Sequence, residues 1–86
     1  PNEPYLLNVA RLVRQKDHEL LLRAYAIAQV KEPLVIVGDG PLKKRLETLA
    51  IELGIAGSVR FAGHRDNPYP WMHHARLFVL SSRVEG

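Results

Sequence analysis

Two cations five residues apart, Arg11 and Lys16, stand just past an apolar run and just before a segment with helical periodicity. Arginine offers a planar fork of donors and lysine a point charge, and a helix N-terminus adds partial positive charge. Such a set suits a diphosphate. The plain alternative, two solvated loop charges, stays open on spacing alone. The other candidates are weaker. His18, His64, His73 and His74 invite a metal, yet adjacent His73 and His74 cannot share a helix face, and no carboxylate supports them at ligand spacing. His64 keeps interest because it follows a strand. Gly38-Asp39-Gly40 resembles the start of a dinucleotide fingerprint, but Lys43 occupies the third glycine's place and the segment follows a second strand, so a turn opening a helix is the better reading. No carboxylate pair suggests glycoside hydrolysis.

The elements that must position these residues follow from periodicity. Tyr5 to Ala10 reads as a buried strand and Asp17 to Val30 as a helix, with Asp17 as N-cap or first-turn acid and Leu21, Ala24, Tyr25 and Ala28 on one stripe. Pro33 ends that helix. Pro33 to Gly38 is β-branched without alternation, as in a parallel strand covered on both faces. Asp39-Gly40-Pro41 makes a turn with Pro41 at the first helical position, and Leu42, Leu46, Leu49, Ala50 and Leu53 form a helical stripe closed by Gly54. Ser58 to Gly63 alternates as a third strand, and His64 to Pro70 is a loop. A short helical turn runs from Trp71 to Ala75; Trp71 and Met72 near Tyr69 could form a stacking surface, but packing of this helix onto the sheet is the better reading. A fourth strand spans Arg76 to Leu80, and Ser81 to Gly86 forms a polar loop.

Strands alternating with helices call for a Rossmann-like α/β parallel sheet of about four strands, in the order 3-2-1-4. Ligands bind such sheets beyond the carboxyl ends of the strands, where strand order reverses, so the expected crevice lies between strands one and four. No helix follows the last strand to cover it, which marks residues 1–86 as part of a larger domain.

Composition sets the outer limits. The 86 residues carry a formal charge of +3, with 47% hydrophobic and 24% charged residues, ordinary values for a folded domain. The charge suits a small anionic ligand and does not by itself indicate a nucleic-acid partner. The absence of cysteine excludes disulfides, thiolate zinc sites and cysteine nucleophiles. No apolar run is long enough to span a bilayer, and the first residues lack the pattern of a secretory signal.

Four blocks carry a family resemblance. Asn8-Val9-Ala10-Arg11-Leu12-Val13-Arg14-Gln15-Lys16-Asp17 resembles the G/A-R-L-x-x-x-K-G stretch of glycosyltransferase family 4, the retaining GT-B enzymes. Val35 to Pro41 is similar to their second-strand VGDGP run, Val59 to Gly63 to their V-x-F-x-G strand, and Phe78 to Gly86 to their PSxxEG segment. The blocks fall in the family's order and span nearly the whole chain. The resemblance implies that Arg11 and Lys16 bind the donor diphosphate and stabilise it as leaving group. It implies that Glu85 faces the donor sugar, and that Gly63 and His64 lie by the nucleotide base. Asp17 departs from the glycine common at its place, and Arg76 from the aspartate; neither touches the diphosphate pair.

On this reading residues 1–86 are a partial nucleotide-sugar-binding domain from the C-terminal half of a retaining transferase. Its partners are a UDP- or GDP-linked sugar and an N-terminal acceptor domain outside this sequence, with no nucleic acid. No metal or other cofactor is needed, because fixed cations take the charge of the departing diphosphate. The intact enzyme is expected to be cytoplasmic, with a membrane-surface acceptor compatible, and residues 1–86 alone are expected to be inactive. Two other classes compete: a flavodoxin-like signalling domain, which would want acids where Ala10 and Arg11 stand, and a noncatalytic nucleotide-binding module.

Overall fold

The structure is a computed structural model that describes residues 4–75, 77 and 78. Strand β1 (Leu6–Val9) leads through a 3-10 turn at Arg14–Lys16 into helix α1 (His18–Ala28). Strand β2 (Leu34–Val37), helix α2 (Lys43–Glu52), strand β3 (Val59–Gly63), helix α3 (Tyr69–His74) and strand β4 (Leu77–Phe78) follow. All described pairings are parallel. Three strands run β3-β2-β1, and β4 adds to the far side of β1 through Leu6 opposite Leu77 and Leu7 opposite Phe78. The result is an α/β fold on a parallel sheet.

Every residue of β2 is buried, which is why its sequence is continuously apolar. Its alternate side chains feed two cores. Leu34 and Ile36 pack with Leu12, Leu21, Leu22, Tyr25, Leu46 and Leu49, so α1 and α2 cover one face. Val35 and Val37 pack with Tyr5 and Leu7 on the other face, where Trp71 and Ala75 of the α3 region lie against them. Trp71 is thus a packing residue. Its helix begins at Tyr69, two residues earlier than the spacing suggests, because Asn67 Oδ1 accepts the Tyr69 N–H at 3.2 Å and starts the turn.

The ends of α2 show which local signals prevail. Helix α2 begins at Lys43 behind Leu42, so Pro41 precedes the helix instead of opening it. Its C-terminus closes as the glycine spacing predicts. Gly54, at φ +75°, donates to Ile51, and the Ile55 N–H donates to Ala50, the paired bonds of a Schellman motif.

Helix α1 is shorter than its periodicity suggests and turned differently. It buries His18, Leu21, Leu22 and Tyr25, while Ala24 and Ala28 of the expected stripe are exposed. The cause is His18, which is 1% exposed and whose Nε2–H donates to Asn8 Oδ1 on β1 at 2.8 Å. That bond anchors the first turn of α1 on the sheet and sets the helix face. Asp17 caps the helix by accepting the Leu20 N–H, from a left-handed backbone at φ 50°. This is the conformation glycine tolerates best, so aspartate offsets some backbone cost with its cap.

Candidate functional site

The connections after β1 and β2 are joined backbone to backbone. The Ala10 N–H donates to Val37 and the Leu12 N–H to Asp39, both at 3.0 Å, and Leu12 in turn accepts the Leu42 N–H at 3.2 Å. This approach explains Gly38-Asp39-Gly40. A Cβ on Gly38 (φ 149°) would run into the Ala10 carbonyl, and one on Gly40 would sit 2.6 Å from the Leu12 carbonyl oxygen. The two glycines are contact points between loops.

Above these loops, beyond the carboxyl ends of β1, β2 and β3, lies a cleft of about 500 Å³. Val9, Ala10 and Arg11 line it from β1, Val37 to Gly40 from β2, and His64 and Arg65 from β3. The Gly38 N–H donates to the Gly63 carbonyl at 2.8 Å, which fixes the third loop against the second. The cleft therefore spans β1 to β3, whereas the sequence placed the crevice between β1 and β4. Ser81 to Gly86, which would line that other side, lie outside the described residues, and with them Glu85.

The structure brings Arg11, Gly63 and His64 to one place. Arg11 is exposed at the cleft wall, and among the described residues its guanidinium has no carboxylate partner. His64 is turned toward Asp66, with Nε2 and Oδ1 3.1 Å apart. Lys16 is not among the residues lining this cleft. Between Arg11 and Lys16, Leu12 is fully buried and the Val13 N–H donates to Arg11, so the chain tightens before the 3-10 turn that carries Lys16. That turn adjoins a second cavity of about 360 Å³, lined by Arg14, Asp17 and His18 among others.

Two groups near the site escape a reading of residue spacing. Asn8 and His18 form a buried side-chain pair, and among the described residues His18 Nδ1 has no hydrogen-bond partner. Burial pushes the His18 imidazole below its ordinary value, with Lys16 adding slightly in the same direction and Asp17 opposing. The signal was present: a lone asparagine inside an apolar strand needs a partner, and His18 is in phase with Leu21, Leu22 and Tyr25. The second is Arg65. Its guanidinium stands 5.5 Å from the Trp71 ring centroid, and Arg60 lies 5.8 Å from the same ring.

Among the described residues no three histidines, aspartates or glutamates gather as metal ligands, and no helix is long and apolar enough to cross a membrane.

The model of the family described as "Glycosyl transferases group 1" matches residues 1–86. The chain is 39% identical over 84 residues to N-acetylgalactosamine-N,N'-diacetylbacillosaminyl-diphospho-undecaprenol 4-alpha-N-acetylgalactosaminyltransferase of Campylobacter jejuni, covering 98% of this chain and 23% of that protein. Its fold superposes on the lipopolysaccharide outer core galactosyltransferase WaaB, apo form, with a TM-score of 0.80 and 26% identity, over 98% of this chain and 26% of that one. It also matches Anabaena Alr3699/HepE in complex with UDP, with a TM-score of 0.82 and 23% identity, over 94% of this chain and 24% of that one. The chain spans about a quarter of the length of these proteins.

Proposed function

The chain belongs to the group 1 glycosyl transferases, and from that premise we propose that it is the donor-binding part of a longer enzyme that transfers a sugar from a nucleoside diphosphate with retention of configuration. The observation that carries this is the cleft at the carboxyl ends of the strands, walled by a guanidinium with no carboxylate partner among the described residues and lined by Gly38 and Gly40, where the two loops meet. The family match favours this reading over a signalling domain.

Arg11 holds the donor diphosphate in this account. When the bond from the anomeric carbon to the diphosphate oxygen breaks, the electron pair leaves with the diphosphate, and a fixed guanidinium stabilises the growing charge. Such positioned cations supply what a metal ion would otherwise provide, so no cofactor is assigned. Lys16, on the adjoining turn, reaches the same group through its long stem, and Glu85 faces the sugar. Gly63 and His64 border the nucleoside, His64 through its backbone because its ring is engaged with Asp66.

The acceptor is bound by a domain beyond these residues, and a lipid-linked acceptor like that in the C. jejuni enzyme's name would bring the intact enzyme to a membrane surface. The remaining pieces of this reading are a fourth sheet strand continuing toward Glu85, a cytoplasmic location and an inactive isolated segment. The test is turnover of UDP- and GDP-linked sugars by the full-length protein carrying this chain. Arg11→Ala and Lys16→Ala should each lower turnover sharply at unchanged melting temperature; full activity in both contradicts the assignment.

A further inference from the structure

We propose that Arg65, aimed by Trp71, reads the keto oxygen on the far edge of the donor's base and so selects uracil or guanine over cytosine or adenine. This deepens the donor-binding reading and rests on it.

Trp71 is held on several sides. Its carbonyl accepts the Tyr5 hydroxyl at 2.6 Å, and its ring meets the Tyr5 ring edge-on, at 6.4 Å and 74°. It also packs against the cluster of Tyr5, Leu7, Val35 and Val37. A guanidinium stacked on so fixed a ring loses much of its freedom before any ligand arrives, which lowers the cost of binding. Arg60 shares the ring, and among the described residues neither arginine has a carboxylate partner. Two like charges over one ring favour a ligand acceptor beside one of them. Arg65 is the one of the pair that lines the cleft.

The placement names the atom. Arg11 follows β1 and Arg65 follows β3, with β2 between them, so the two positions stand two strand spacings apart, about 10 Å. A nucleotide with its diphosphate on Arg11 extends ribose and then base across the Gly38–Gly40 floor. The base edge farthest from the sugar then faces Arg65. That edge carries O4 in uracil and O6 in guanine, but an amino group in cytosine and adenine. Arginine has donors only, so it pairs with the keto group and leaves an amino group unmatched.

Calorimetric titration of the full-length protein with UDP and CDP tests this, in wild type and in Arg65→Ala, an exposed substitution. The expected result is UDP bound more tightly than CDP by wild type, and a UDP affinity at least about tenfold lower in R65A with the UDP:CDP ratio collapsed toward one. An equal loss for both nucleotides would show general charge attraction, and unchanged affinities for both would show no contact; either overturns the proposal while leaving the donor-binding reading intact. If wild type binds neither these two nor GDP, both readings fall together.

Discussion

His18 Nε2 lies 2.8 Å from Asn8 Oδ1, and both residues are 1% exposed. This bond ties the first turn of α1 to β1 and brackets the connection that carries Arg11 and Lys16. Removing one partner leaves the other buried without its hydrogen bond, at a cost of about 1–3 kcal/mol. Asn8→Val should therefore destabilise the protein by that amount in urea unfolding. The double variant Asn8→Val/His18→Leu should lose less than the sum of the two single changes, since no orphaned polar group remains.

The same histidine makes stability depend on pH in a definite direction. Its folded value lies below the unfolded 6.5 because burial disfavours the charged ring. Between the two values the unfolded chain binds more protons than the folded one, so stability rises with pH there. The contribution is complete above about pH 6.5 and is lost as the pH falls below it. Unfolding free energies at pH 7.5 and 5.5 should differ in wild type, and differ less in the Asn8→Val/His18→Leu variant.

Gly38 and Gly40 are where two loops touch. Gly38→Ala places a methyl group on the Ala10 carbonyl at a φ that side chains rarely adopt. The substitution should cost more than about 1 kcal/mol in thermal unfolding. It should also weaken nucleotide binding, because the loops that part are those forming the cleft floor. Alanine at Gly54, where nothing lies within 4 Å of the added carbon, should carry only the backbone penalty.

Gln29 closes α1 in the left-handed region, at φ 53°, with its N–H donating to Tyr25. The side chain is exposed and pays a conformational penalty that glycine avoids. Gln29→Gly should raise stability by about 0.5–1 kcal/mol, read as a higher urea midpoint with unchanged slope.

Much of the sheet was legible because its signals are local. The β-branched run before Gly38 predicts a strand covered on both faces, and the stripe ending at Gly54 predicts α2 and its cap. The orientation of α1 was not legible in the same way. A stripe of leucines and alanines fits several rotations, and the choice among them is made by a histidine bonding to a strand ten residues away. The glycines of Gly38-Asp39-Gly40 signal a turn, but their reason is a contact with Ala10 and Leu12, which only the folded chain brings near. That Arg11 lies at the cleft wall was legible from its place after β1. That Lys16 stands outside the cleft follows from the burial of Leu12, which tightens the connection between them, and that depends on the core beneath. Arg65 was missed because its meaning comes from Trp71, six residues on and on another element.

The most direct measurement is a crystal structure of the full-length protein with UDP bound. The diphosphate should lie on the Arg11 guanidinium, with the base over Gly38–Gly40 toward Arg65. Nucleotide density away from Arg11 and from the carboxyl ends of β1, β2 and β3 would contradict the account.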